Sequence, residues 1–259
     1  MENEAKVISL RNVNKNFKGV QAVNDVSFDV AYGERHLLLG TNGAGKTTLF
    51  NLIAGDLPAS SGEIFIFGQE VSKMSMQQRV KLGLRRTYQG TALFSDLTIR
   101  QNLYLALMGT KSTFKQVNTL INWKRSSGYT HEIEEVAHKV GLADKMDALA
   151  SSLSHGESRQ LEFGLAIITK PKLLLLDEPS SGVSENERQN ILAMIQSIEK
   201  DVTVLLIEHN MELAFAVADI VTVMFNGEVV ASGKPEDIQK NEYVQRIYLG
   251  GVHGDDADS

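Results

Sequence analysis

Apolar and polar positions alternate in two early segments of the chain, residues 7–13 and 26–30, and this period of two predicts β-strands. A compact apolar run at residues 64–67 predicts a further strand, which ends at Gly68. Residues 1–68 are therefore expected to be rich in strands.

The period changes to that of helices between about residues 95 and 170. The clearest example is an apolar set at i, i+3, i+4 and i+7 that stops before Gly141; its members are Ile133, Val136, Ala137 and Val140. We expect a helical insert here. Residues 109–128, which contain the single tryptophan, Trp123, show no clear hydrophobic period, and their composition does not indicate a role.

Two buried strands are predicted after Pro171, at residues 173–176 and 202–207, and a helical segment separates them. This alternation is typical of a parallel sheet in an α/β fold. Further on, Asn226 and Gly227 stand between two β-like runs, which is a strong signal for a two-residue hairpin.

Composition narrows the class of protein. The chain has 259 residues, 42% of them hydrophobic and 22% charged, which is enough for one large domain or two small ones. No apolar stretch approaches the roughly 18 residues of a membrane span, and the acidic start is unlike a secretory signal. The absence of cysteine excludes disulfides, and a net charge of -6 argues against nucleic acid as the main partner.

Residues 40–47 fit the phosphate-binding pattern G-x-x-x-x-G-K-[S/T]. The three leucines at 37–39 predict a buried strand before the loop, and helical spacing from Leu49 to Gly55 predicts a helix after it. Backbone N–H groups of such a loop surround a polyphosphate, the lysine reaches the β- and γ-phosphates, and the hydroxyl after it binds Mg²⁺. The predicted nucleotide contacts are Asn42, Gly43, Ala44, Gly45, Lys46, Thr47 and Thr48, with Thr47 also a metal ligand.

Two acidic residues, Asp177 and Glu178, follow directly on four leucines, where open α/β sheets place their sites. This is the Walker B arrangement, in which Asp177 holds Mg²⁺ and Glu178 polarises the water that attacks the γ-phosphate. The alternative is that both residues only cap the element that follows Pro179.

His209 follows the second buried strand, and from there it is placed to contact the γ-phosphate. A histidine at a strand end is otherwise an ordinary surface residue. Ser154 and Glu157 form a capping box before an apolar-periodic helix, and with Gly156 they also form a second anion-binding surface. Both interpretations of this segment stay open.

These motifs occur in the order and spacing of an ATP-binding cassette (ABC) subunit, and the chain resembles that family over nearly its whole length. The resemblance implies a P-loop NTPase fold of class α/β, with a RecA-like core, an antiparallel β subdomain and an α-helical subdomain at about 95–170. It implies one ATP-binding domain over residues 1–252, followed by an acidic tail at 253–259.

The resemblance also assigns roles to individual residues. Gln89 matches the Q-loop, which links Mg²⁺ and the attacking water to the membrane partner. Ser154, Gly156 and Glu157 lie in the signature motif, which contacts the γ-phosphate of ATP held by a partner cassette. Phe17 matches the aromatic residue that stacks on adenine, although a lone phenylalanine equally fits a core position.

The chain departs from the family pattern at three positions. His155 replaces the usual glycine of the signature motif, and Glu157 replaces the usual glutamine. Ser184 replaces the common aspartate of the D-loop; with Glu187 it completes another capping box, and the alternative is that it serves chiefly to start a helix. The altered D-loop implies weaker or asymmetric communication between the two sites of a dimer, whereas Ser154 and Gly156 keep the γ-phosphate contacts of the signature motif.

Within the family, the chain most resembles the ATPase subunits of importers for branched-chain amino acids, urea and short amides. The resemblance implies an ATPase that uses ATP and Mg²⁺, lies peripherally on the cytoplasmic face of the membrane and drives two permease subunits, with a solute-binding protein upstream. A second, different cassette is favoured over a homodimer. A lipopolysaccharide-export ATPase is the nearest alternative, followed by a soluble ABC ATPase acting on nucleic acid or the ribosome, and by a non-hydrolytic regulator.

Overall fold

The computed structural model describes residues 5–87, 93–109, 129–209 and 211–249. Its strands are β1 (Lys6–Phe17), β2 (Val20–Ala31), β3 (Arg35–Gly40), β4 (Ser61–Ile66), β5 (Gln69–Glu70), β6 (Leu84–Arg86), β7 (Leu173–Asp177), β8 (Thr203–Ile207), β9 (Ile220–Phe225) and β10 (Glu228–Gly233). Its helices are α1 (Lys46–Ala54), α2 (Met76–Leu82), α3 (Ile99–Gly109), α4 (Thr130–Lys139), α5 (His155–Ile167), α6 (Glu185–Gln196), α7 (Met211–Val217), α8 (Pro235–Lys240) and α9 (Glu242–Leu249). The chain forms two compact units, Met1–Arg79 with Thr203–Ser259, and Val80–Val202.

The first unit contains an antiparallel sheet in the order β2-β1-β4-β5. Ile8 pairs with Val30 on one side and with Ile66 on the other, and all three side chains are buried. The strands predicted at 7–13 and 26–30 are confirmed but longer than predicted. Irregular register and left-handed backbone at Asn12 and Asp25 break the alternation within β1 and β2, and the sequence pattern stops there while the pairing continues.

The other sheet of this unit is centred on β3, which lies parallel to β8 on one side and to β9 on the other. Strands β9 and β10 pair as an antiparallel hairpin. Asn226 (φ 48°) and Gly227 (φ 84°) form its turn, and two positive φ values are what a type I′ turn requires. The hairpin, the strand over the three leucines and the strand before His209 are all confirmed.

The second unit combines a parallel pair, β6 and β7, with the helices α3 to α6. Helix α5 packs against α3 and α4, and the apolar set predicted for α4 is buried. Val140 is the C-cap residue of α4, and Gly141 after it has a left-handed backbone (φ 73°), which is typical of the end of a helix. The helical character of this region is thus confirmed where it is described, and residues 110–128 lie outside the described residues. Among the described helices, none combines the length and apolar character needed to cross a bilayer.

Arg79 is a fully buried arginine that the sequence pattern did not single out. Its guanidinium donates to the carbonyls of Leu52 (2.5 Å), Ile53 (2.7 Å) and Val71 (2.7 Å), with a longer bond to Met74 (3.3 Å). Burial lowers the pKa of Arg79 to about 10, so the group stays charged at neutral pH. The side chain therefore satisfies carbonyls at the end of α1, which the helix leaves without internal partners.

We expect Arg79→Met to destabilise the protein by about 2–4 kcal/mol, because it leaves several buried carbonyls without a donor. Denaturant unfolding measures this change. Lys81→Met, on the exposed face of the same helix, removes the same charge and is expected to change stability by less than about 0.5 kcal/mol. Equal effects of the two substitutions would contradict the role given to Arg79.

Candidate functional site

The glycine-rich loop joins the end of β3 to the start of α1, within the first unit. Gly45 adopts φ 98°, and a Cβ at this position would overlap the carbonyl of Ala22 on β2. The Ala44 carbonyl accepts a hydrogen bond from the Gly227 N–H of the β9–β10 turn (3.1 Å). Backbone of two neighbouring elements thus holds the loop, and only glycine fits at position 45.

Lys46 is buried beneath this loop. Its ammonium group donates to the carbonyls of Gly40 (2.7 Å) and Thr41 (2.9 Å). Asn42, Gly43 and Thr47, in contrast, are exposed. A buried cation below an exposed glycine turn at a helix amino terminus is the arrangement that binds a polyphosphate.

Glu208 and His209 follow β8 in the same unit. Because β3 and β8 are parallel neighbours, with Leu38 opposite Ile207, their carboxyl ends meet at one sheet edge. Glu208 is buried and accepts the N–H of His209 (3.0 Å), whereas His209 is exposed. The predicted γ-phosphate contact therefore lies at the edge where the glycine-rich loop begins.

Phe17 ends β1 and is 41% exposed, so it is not a core residue. The ammonium group of Lys15 lies 5.0 Å from the centre of its ring. An exposed aromatic ring beside a cation is a suitable surface on which an electron-rich nucleobase can stack.

Asp177 ends β7 in the second unit and is buried together with Arg86 of β6. The two side chains form an ion pair at 2.6 Å, an arrangement that the sequence analysis missed. An arginine three residues before Gln89 was the available signal, but nothing local shows that β6 pairs with β7. Because removal of either side chain would leave the other as an uncompensated buried charge, the ion pair is strongly favoured. Arg86 therefore positions the Asp177 carboxylate.

Glu178 has a left-handed backbone, with φ 49°. This conformation is uncommon for residues other than glycine and costs about 1–3 kcal/mol, which proteins retain mainly at functional positions. Its carbonyl accepts the Ser181 N–H (3.0 Å) and closes a turn after the strand. The strained backbone supports a role beyond capping.

Ser154 caps α5, and both bonds of the predicted capping box are present. The Glu157 side chain accepts the Ser154 N–H (2.9 Å), and Lys145 forms an ion pair with the same carboxylate. Lys145 and the Ser154 N–H hold the pKa of Glu157 below its ordinary value. The structural interpretation of this segment is confirmed, and the anion-binding interpretation remains compatible with it.

The departures from the common family pattern lie close together in the second unit. The imidazole of His155 packs against Gly182, and the carboxylate of Glu187 lies against Gly156. Glu187 also completes the capping box of Ser184 at the start of α6. Residue 155 and the D-loop segment are thus in contact, which spacing along the sequence did not reveal.

Each unit holds part of the predicted set. The first carries the glycine-rich loop, Phe17 and His209; the second carries Asp177, Glu178 and the Ser154 segment. Gln89 lies outside the described residues.

Comparison with protein families gives two matches. The model for the ABC transporter family matches residues 23–181. A second model, described as branched-chain amino acid ATP-binding cassette transporter, matches residues 228–254.

Curated relatives match over nearly their full length. The chain is 32% identical to the high-affinity branched-chain amino acid transport ATP-binding protein LivG of Escherichia coli (strain K12), covering 94% of this chain and 98% of the relative. It is 32% identical to BraF of Pseudomonas aeruginosa, with the same description and the same coverage. The lipopolysaccharide export system ATP-binding protein LptB of Escherichia coli is also 32% identical, covering 94% and 97%.

Among solved structures, the ADP conformation of MJ1267, an ATP-binding cassette of an ABC transporter, superposes with a TM-score of 0.80 at 27% identity. The alignment covers 95% of this chain and 99% of MJ1267.

The Glu157 ion pair predicts a pH dependence of stability. Since the folded state lowers the pKa of Glu157, its contribution is complete above the unfolded value near 4.5 and is lost as pH falls through the folded value. We expect Glu157→Gln to cost about 0.5–1 kcal/mol at pH 7 and to lose less stability than the parent between pH 5 and 3. Unfolding curves across this range measure both, with the exposed Glu70→Gln as control. Parallel pH profiles for the parent and Glu157→Gln would refute the assignment.

Proposed function

This chain belongs to the ATP-binding subunits of ABC transporters, and from that membership we propose that it hydrolyses ATP to drive uptake of branched-chain amino acids or of urea and short amides. The observation that supports this branch is the match of residues 228–254 to the branched-chain amino acid cassette model. LivG and BraF, whose names state branched-chain amino acid transport, match almost end to end.

The family assignment and the α/β P-loop cassette fold expected from the sequence are confirmed by these matches. ATPase activity follows from the family. The domain limits 1–252 and 95–170, and the roles of individual residues, remain our proposals.

For nucleotide binding, we assign the triphosphate to the exposed loop and the amino terminus of α1. Lys46 would exchange its bonds to loop carbonyls for bonds to phosphate oxygens, which are better acceptors for an ammonium group. Phe17 would stack on the base, since its ring is exposed and its neighbour Lys15 already contacts it. The remaining proposed contacts are Asn42, Gly43, Ala44, Gly45, Thr47 and Thr48.

Mg²⁺ suits the oxygen atoms that this chain offers. Thr47 presents an exposed hydroxyl at the first turn of α1, and Asp177 presents a carboxylate held by Arg86. Mg²⁺ usually binds through one or two protein oxygens together with waters and substrate phosphates, so each of these oxygens suits it. Gln89 completes the proposed ligands by resemblance. When bound, the ion neutralises charge on the phosphates.

For hydrolysis, Glu178 orients the attacking water and accepts its proton as the bond between the γ-phosphorus and its bridging oxygen breaks. Lys46 and His209 stabilise charge on the equatorial oxygens. The left-handed backbone of Glu178 supports this role, because strain of this kind is retained where a side chain must be aimed.

For coupling, we propose that Ser154, Gly156 and Glu157 contact ATP on the P-loop of a second cassette, so that two cassettes close around the nucleotide. We favour a different cassette over a second copy, because of the altered D-loop. Permease subunits in the membrane would bind the closed pair, and a solute-binding protein would act upstream. The chain would then lie peripherally, on the cytoplasmic face of the membrane.

Lipopolysaccharide export is the second candidate, because LptB matches at the same 32% identity over 244 residues. The amino acid cassette match near the carboxyl end favours uptake.

Replacing the carboxylate of Glu178 tests the chemistry. We expect Glu178→Gln to lower ATP turnover by at least about a hundredfold, because general-base catalysis is lost, while ATP binding stays near the parent value. Single-turnover hydrolysis and equilibrium nucleotide binding measure the two quantities. Glu185→Gln, a nearby exposed glutamate, should hydrolyse ATP normally. Normal turnover by Glu178→Gln would refute this assignment.

Purification of the tagged chain from gently solubilised membranes tests the transport assignment. We expect two multi-span permeases and a second cassette protein, identified by mass spectrometry against an untagged control. An export-type permease pair would favour the second candidate. Ribosomal or DNA-associated partners would exclude transport.

A further inference from the structure

The amino terminus of α5 is covered by a carboxylate from another helix, that of Glu187 on α6. A Cβ added at Gly156 would overlap this carboxylate, and Gly156 is buried although Ser154 and His155 beside it are exposed. The Glu187 side chain therefore lies directly on the backbone that begins α5.

The backbone beneath the Glu187 carboxylate includes a first-turn N–H group, that of Gly156, which the capping box does not use. Ser154 already accepts the N–H of Glu157, which leaves the N–H of Gly156 as a first-turn donor. Hydrogen bonds from the Ser184 hydroxyl and N–H lower the pKa of Glu187, and the Gly156 backbone, on which the carboxylate lies, acts in the same direction. Glu187 is thus anionic at neutral pH and sits at the positive end of α5.

The same carboxylate holds the start of its own helix. One of its oxygens accepts the Ser184 N–H at 2.8 Å and the Ser184 hydroxyl at 2.6 Å. One side chain therefore bridges the amino ends of α5 and α6, and the second of these follows the D-loop segment. His155, which packs on Gly182, lies close enough to Glu187 to favour its charged form.

We propose that the Glu187 carboxylate occupies the position that the γ-phosphate of ATP on the partner cassette takes when the two cassettes close. This proposal rests on the function proposed above for the Ser154 surface. Two anions cannot share the Gly156 amide without strong repulsion, so closure requires Glu187 to move away. The γ-phosphate of ATP on the partner cassette then competes with the Glu187 carboxylate for this position. In the absence of ATP, the carboxylate opposes closure.

Displacement of Glu187 has a consequence at α6. Since this carboxylate also binds Ser184, its movement changes the capping of α6 and the conformation of the D-loop beside it. Binding of a phosphate at the Ser154 surface thus changes the D-loop of the same chain through Glu187, although this D-loop lacks the usual aspartate.

The test measures ATP-driven association of the chain carrying Glu178→Gln. It uses this chain with the cassette that co-purifies with it, or the chain alone if it self-associates. Glu187→Ala removes the internal anion, Glu187→Gln keeps its shape without charge, and Glu185→Gln is the matched charge control on the same first turn. Sedimentation at increasing ATP concentration gives the association constant.

We expect Glu187→Ala to tighten association about tenfold and Glu187→Gln by a smaller factor, with Glu185→Gln unchanged. Nucleotide binding by the chain's own P-loop should not change in any of them. Unchanged or weaker association of Glu187→Ala, with the parent associating normally, would overturn the inference alone. A parent that does not associate with ATP would remove the proposed function, and this inference with it.

Hydrogen exchange tests the contact itself, independently of association. In the absence of nucleotide, the peptide that begins α5, residues 153–160, should exchange faster in Glu187→Ala than in the parent or in Glu185→Gln. Unchanged exchange would show that Glu187 does not hold the Gly156 amide and would overturn the inference. Thermal unfolding of each variant identifies any general loss of structure.

Discussion

Backbone N–H groups at the amino terminus of a helix need hydrogen-bond acceptors that the helix itself does not supply. The proposed chemistry of this protein depends on how the helices α1 and α5 obtain these acceptors. Among the described residues, no side chain caps α1, whose N-cap is Gly45, and no acidic residue stands in its first turn. Helix α5, in contrast, is capped by Ser154 and Glu157, and Glu187 covers what remains. Helix α1 therefore begins without a side-chain cap, whereas α5 is capped from within the chain.

The first unit shows why a short glycine-rich segment holds a defined shape. Strand β3 is paired on both sides and ends at the loop, and its parallel neighbour β8 carries the Glu208-His209 pair to the same edge. Gly45 lies so close to the Ala22 carbonyl that no other residue fits, and the Ala44 carbonyl is bound by the hairpin turn. Helix α1, which follows, is held at its other end by the buried Arg79. The binding loop is therefore positioned by rigid backbone on both sides.

The second unit combines stability with strain around the proposed hydrolytic residues. The buried pair of Arg86 and Asp177 aligns one carboxylate through an ion pair whose desolvation cost is large. Glu178, next in the chain, has a left-handed backbone that costs free energy. Neither feature is needed for a turn that only caps a helix. Both are consistent with side chains held ready for a reaction, in which orientation matters more than stability.

Features that depend on residues close together in the chain were determined by the sequence itself. The glycine-rich loop between strand and helix, both capping boxes and the Asn226-Gly227 hairpin are of this kind, because turn chemistry and capping act over a few residues. The ends of β1 and β2 were not predicted, since bulges shift the alternation on which the pattern relies. Other contacts depend on residues far apart: Arg79 with the end of α1, Arg86 with Asp177, and Glu187 with Gly156. Only the tertiary structure decided these, because burial and the pairing of charges are set by which elements pack together, and no local pattern of residues encodes that.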